Sequence, residues 1–123
     1  MTSSRRAVIE FDQAVALYLN DARRFGWLRV AGADPCLSDP FLTRLAPEPL
    51  GDAFTPAALR DALEHHRRAV VRAVLLDQSV VAGIGNIYAD GALYRARIHP
   101  ERRAGSVHEA ETRELHAAIR HVL

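Results

Sequence analysis

Lysine is absent from these 123 residues, and all 16 basic side chains are arginine. Without lysine, the only amine in the chain is its own α-amino group. A single cysteine, Cys36, cannot close an internal disulfide and leaves no cysteine-rich zinc pattern. No apolar run approaches the ~20 residues a membrane helix needs, so no membrane partner is expected. The start, Met1-Thr2-Ser3-Ser4-Arg5-Arg6, lacks the apolar core of a signal peptide, and a cytoplasmic protein is expected. Net charge is only +1, so no global field points to nucleic acid. The histidines include no pair four residues apart, which removes the usual helical metal site.

What is present is ordinary in bulk and uneven in detail. Hydrophobic residues make up 49% and charged ones 25%, the balance of a globular protein with a core. The length suits one domain or pieces of two. Several arginines come in pairs: Arg5-Arg6, Arg23-Arg24, Arg67-Arg68 and Arg102-Arg103. Arginine donates two bonds at once to phosphate. An all-arginine set also follows from genome composition alone, and both explanations stay open.

Along the chain, Val15, Leu17 and Leu19 alternate with Ala16, Tyr18 and Asn20, the two-residue period of a half-buried strand. Ala7 to Phe11 reads as its partner, turned by Asp12-Gln13-Ala14, and Trp27 to Val30 as a third strand. So few short strands need further cover, a hint of missing chain. Residues 32–54 read as a proline-rich linker with at most a helical turn near Phe41 to Leu45. Thr55-Pro56 predicts a helix start, with a capping hydroxyl before proline at the first helical position. The stripe Leu59, Ala62, Leu63, His66, Val70, Val74, Leu75 permits one long helix to Asp77. Asn86 to Arg97 reads as another helix, its apolar face formed by Ile87, Ala89, Leu93 and Tyr94. Ser106-Val107-His108-Glu109 predicts a capping box for the last helix. Leu115, Ala118, Ile119, Val122 and Leu123 form its buried stripe, and the chain stops inside that pattern, as if cut.

The stretch Val80 to Asp90 stands out. Two glycines one residue apart, Gly83 and Gly85, interrupt an apolar run, and Asn86 opens the next segment. Glycine lets a partner approach the main chain. Asn suits a helix start, whose unpaired N–H groups favour an anion. The spacing allows either a phosphate-gripping turn or a plain helix–turn–helix corner.

Gly83-Ile84-Gly85-Asn86-Ile87-Tyr88-Ala89-Asp90, with Ala92-Leu93-Tyr94-Arg95-Ala96 and Ile98-His99-Pro100 behind it, resembles the helix–two-turns–helix signature of the formamidopyrimidine-DNA glycosylases. Asn20-Asp21-Ala22-Arg23-Arg24-Phe25-Gly26 and Pro47-Glu48-Pro49-Leu50 resemble two further signatures of that family, in the right order. Ile87-Tyr88 favours its formamidopyrimidine branch over the endonuclease VIII branch. The resemblance runs from about Phe11 to Leu123.

It implies an α+β chain. Residues 1–31 would be the end of a catalytic β domain, with short antiparallel strands. Residues 32–54 would be a linker, and 55–123 a mainly α-helical helix–two-turns–helix domain broken near Arg67-Arg68. The implied partner is double-stranded DNA, damaged or abasic. Contacts are implied at Arg72, Gly83, Gly85, Asn86 and Tyr88. Arg23 and Phe25 match residues that fill the gap left by an extruded base, and Arg24 matches a backbone contact. The family's reaction uses an N-terminal proline amine that forms a Schiff base on the sugar, followed by strand cleavage. Here Thr2 and Ser3 follow Met1, and the family's lysine and four-cysteine zinc finger are missing. No cofactor is therefore expected in these residues, although the full-length family carries one structural zinc. Arg72 stands where lysine is usual and Gly91 where glutamate is usual, so an ion pair between those two positions is in doubt. The expectation is a DNA-binding portion that is inactive alone or completed by another fragment of the same enzyme. The alternative is a general nucleic-acid module without repair chemistry.

Overall fold

The computed structural model describes residues 5–34 and 38–123. The Met1–Ser4 start and Cys36, with Pro35 beside it, lie outside the described residues. The chain forms two compact units, Met1–Cys36 and Leu37–Leu123.

In the first unit, β1 (Arg5–Phe11) pairs antiparallel with β2 (Val15–Asn20), Val8 opposite Tyr18 and Phe11 opposite Val15. A register shift falls between Arg5 and Ala7. The connection Asp12–Ala14 is a 3-10 turn in which Gln13 and Ala14 take left-handed φ of 70° and 59°. That conformation reverses the chain tightly without glycine, at a steric cost. Trp27 to Val30 is not a strand: the sheet has two strands only among the described residues. Its aromatic and branched composition suits a pleated surface, but a strand exists only with a neighbour to bond. The expected half-buried alternation is also missing. Val15 and Leu17 are exposed, as are Val8, Ile9 and Phe11 across the ladder, so neither face of the sheet is buried within this unit.

Among its described residues the second unit holds five α-helices: α1 (Pro40–Thr43), α2 (Pro56–His65), α3 (Val71–Leu76), α4 (Asn86–Arg95) and α5 (Glu109–Val122). No helix among the described residues is long and apolar enough to cross a membrane. The Thr55 hydroxyl accepts from the Ala58 N–H at 3.1 Å and Pro56 begins α2, as the sequence predicts. The long apolar stripe does split at 66–70. There the chain pairs with the segment before α5: Ala104 N–H donates to Ala69 C=O, Gly105 N–H to Arg67 C=O, and Val71 N–H to Arg102 C=O. Residues 38–54, the greater part of the proline-rich stretch, lie in this unit. Phe54 is buried and stacks on His116, whose ring nitrogen bonds the Phe54 carbonyl, and the Ala46 N–H donates to Gln78 C=O.

The core joins Leu59 and Leu63 of α2, Val71 and Leu75 of α3, Leu93 of α4, and Leu115 and Ile119 of α5. Each such side chain stabilises the fold by about 1.5–3 kcal/mol through burial. Two local expectations fail. On α4 the buried face is Ala89, Ala92 and Leu93, while Ile87 and Tyr94 are 84% and 88% exposed. Alanine is small enough to let α5 pack close, so the larger residues point elsewhere. The capping box also shifts: α5 begins after His108, whose N–H donates to Glu111 Oε2 at 2.8 Å. Ser106 is already committed, accepting from Arg102 Nε and donating to the Arg103 carbonyl.

Candidate nucleic-acid interface

Two turns lead from α3 into α4. In the first, Asp77 Oδ1 accepts from both the N–H and the hydroxyl of Ser79, at 2.9 and 2.6 Å. Those bonds, the hydroxyl's first, hold the Asp77 carboxyl below its usual range. In the second, Gly83 has φ 82°, the left-handed region where a side chain is strained. Gln78 shapes this turn from inside. Its Nε2 donates to the Ile84 carbonyl at 3.0 Å and its Oε1 accepts the Gly83 N–H at 2.8 Å. The sequence alone shows Gln78 only as a turn residue; its polar side chain between two apolar runs is the one signal available. Gly83 therefore contributes backbone shape, and its amide is not bare.

The amides that remain are those at the start of α4. Gly85, and not Asn86, caps this helix, with no side-chain bond to the first turn, and the first bond closing it is Ala89 N–H to Gly85 C=O. The N–H groups of Asn86, Ile87 and Tyr88 have no acceptor among the described residues, and together they carry the partial positive charge of a helix start. No Cβ contact would arise within 4 Å of Gly83 or Gly85, so the main chain there stands open. Tyr88 is 44% exposed beside it.

Asn86 is tied to α3 instead of to its own helix. Arg72 Nη2 donates to Asn86 Oδ1 at 3.0 Å. The same guanidinium forks onto Asp90, Nε to Oδ1 at 2.6 Å and Nη2 to Oδ2 at 3.2 Å. This bond holds the Asp90 carboxyl below its usual range and raises Arg72 further. The ion pair in doubt at Gly91 is thus made one residue earlier. Gly91 itself faces α5, where an added Cβ would meet Val122 at 3.8 Å.

In the other unit, the loop after β2 is built on Asp21. Its carboxylate accepts the Arg24 N–H at 2.9 Å and the Gly26 N–H at 2.7 Å, and these bonds, Gly26 first, hold it below its usual range. The loop turns through Arg24, at φ 59°, and leaves Phe25 77% exposed. The Arg23 guanidinium lies 4.9 Å from the Phe25 ring centre, a cation–π contact. An exposed aromatic braced by arginine is an unusual loop tip. Among the described residues no group of three His, Cys, Asp or Glu could hold a metal.

The family profile of the formamidopyrimidine-DNA glycosylase H2TH domain matches residues 45–123. The chain belongs to that family. Over 116 residues it is 46% identical to the formamidopyrimidine-DNA glycosylase of Symbiobacterium thermophilum, covering 94% of this chain and 38% of the relative. The Paracoccus denitrificans protein of the same name is 49% identical over 112 residues, which is 91% of this chain and 39% of its own. The chain therefore spans about two fifths of these curated relatives. Among solved structures, MutM (Fpg) of Thermus thermophilus superposes with a TM-score of 0.84 at 44% identity, over 99% of this chain and 45% of that one. Lactococcus lactis Fpg bound to AP-site DNA gives 0.83 at 29% identity, over 99% and 46%. The α+β reading, with two strands followed by a helix–two-turns–helix unit, stands.

Proposed function

We propose that this chain is the damaged-DNA-binding portion of a formamidopyrimidine-DNA glycosylase, met by its DNA in the cytoplasm. The helix start that follows Gly83 and Gly85, at residues 86–88, grips backbone phosphate, and the Arg23-Arg24-Phe25 loop wedges into a gap in the base stack. One observation carries this reading above the others. The unpartnered amides of residues 86–88 and the Asn86 side chain present donors together at an open helix start, where phosphate is the anion that DNA supplies. Relatives of the same fold have been solved with abasic DNA bound. Tyr88 would flank the bound backbone.

Excision of oxidised purines and strand cleavage belong, in this proposal, to the whole protein. These residues supply grip and shape, and they offer no lysine as nucleophile. A complementing fragment of the same enzyme would supply the amine and the zinc finger. A general nucleic-acid module is the second reading, and the braced, exposed Phe25 counts against it, because plain phosphate binding has no use for a wedge.

The test compares affinity for abasic and intact duplexes in the unaltered chain and in Phe25→Ala. Preference for the abasic duplex should appear in the first and shrink in the second. An equal preference in both would make the loop structural, and no preference in either would favour the general module.

A further inference from the structure

Arg72 stands beside the proposed phosphate grip, yet its guanidinium is already engaged by Asp90 and Asn86. A guanidinium donates and never accepts, so the Asn86 atom facing it must be the carbonyl oxygen. The side-chain amide is thereby oriented, with both Nδ2 protons directed away from Arg72 and without a partner among the described residues. We infer that Arg72 is a positioning residue, which the Asp90 fork holds in place so that it fixes the Asn86 amide with its NH2 group toward an incoming phosphate. The inference rests on the phosphate reading of that turn.

The backbone supports this role. Arg72 sits in the first turn of α3, where its N–H donates to the Pro100 carbonyl at 3.2 Å and the preceding Val71 N–H to Arg102 C=O at 2.8 Å. The arginine stem therefore starts from a fixed point. Asp90 lies one helical turn after Asn86, so both acceptors face α3 from the same side of α4. The bidentate fork defines the plane of the guanidinium, and the third bond then has one direction. An exposed Asn without this bond would turn freely about its χ angles and lose entropy on binding. Pairing with Asp90 also cancels most of the Arg72 charge, which suits a residue that orients and not one that attracts.

The probe is the paired substitution Arg72→Gln with Asp90→Asn, which removes the fork without changing net charge. Affinity for a short abasic duplex is measured at one salt concentration in four chains: unaltered, paired variant, Asn86→Ala, and all three together. The paired variant should bind about fivefold or more weakly where Asn86 is present and change binding less than twofold where it is Ala. The same loss in both backgrounds, or none in the first, overturns the positioning role while leaving the phosphate site intact. If Asn86→Ala alone changes nothing, the phosphate reading fails, and this inference with it. Should the paired variant not fold, 15N relaxation of the Asn86 side chain in the unaltered, DNA-free chain decides the matter. An order parameter near the ~0.85 of rigid backbone is expected, and one below ~0.6 would overturn the inference.

Discussion

A Cβ placed on Gly105 would lie 2.5 Å from Arg67 Cβ and 3.2 Å from the Arg67 carbonyl oxygen. The Gly105 N–H also donates to that carbonyl, so the two strands of chain that frame α3 touch here main chain to main chain. Gly105→Ala must push them apart and should destabilise the helical unit by about 1–3 kcal/mol, the usual range for overpacking. Gly83→Ala offers the contrast. Nothing lies within 4 Å of its Cβ position, and its cost is the left-handed backbone alone, about 1–2 kcal/mol. Urea unfolding of both variants checks the pair; an unchanged midpoint for Gly105→Ala would mean that the 67–72 and 100–105 contact is looser than described.

Gln78 should behave as the clamp of the second turn. Gln78→Ala leaves the Gly83 N–H and the Ile84 carbonyl to find water, at a cost of about 1–3 kcal/mol. Hydrogen exchange gives the sharper readout. The Gly83 amide should lose its protection in the variant far more than the core amides of α5. Equal losses everywhere would indicate plain global destabilisation.

How much of this could be read beforehand depends on how local the cause is. Thr55-Pro56 carries its own helix-start chemistry, and the cap forms as the residues dictate. A turn is likewise legible in Gly83 and Gly85, and the family signature supplies the two-turn unit and the break at Arg67-Arg68. Trp27 to Val30 failed because strandness needs a neighbour that composition cannot supply. Ile87 and Tyr94 lie outside because the apolar and polar residues of α4 are only weakly segregated, so periodicity does not say which side α5 will cover. Asn86 looked like a helix cap, but its partner is Arg72, 14 residues away. The capping box forms two residues later than the local pattern suggests, because the Ser106 hydroxyl is taken up by Arg102 and the Arg103 carbonyl in the turn before the helix, which a spacing rule does not weigh.

Acid should loosen the start of α5. Glu111 is held down to about 2 from an ordinary 4.5, first by the Arg102 guanidinium and next by the His108 N–H. Arg102 reaches both of its carboxylate oxygens, at 2.5 and 2.8 Å. A carboxyl with a depressed folded-state pKa adds stability above its unfolded value and loses it as pH falls toward the folded one. Unfolding free energy should therefore drop between about pH 4.5 and 2, and Glu111→Gln should flatten that part of the profile. A mutant profile parallel to the unaltered one would assign the acid sensitivity to other carboxylates.

The central claim is that the helix start at Asn86 holds DNA phosphate, and a fluorescence anisotropy titration tests it most directly. An end-labelled abasic duplex is titrated at one fixed salt concentration with the unaltered chain and with Asn86→Ala, both shown by circular dichroism to be folded. Asn86 is exposed and among the described residues its side-chain oxygen bonds only Arg72, so its removal should leave the fold intact. Loss of one hydrogen bond to a charged phosphate should weaken binding by about 1–3 kcal/mol. Superimposable titration curves for the two chains would contradict the account.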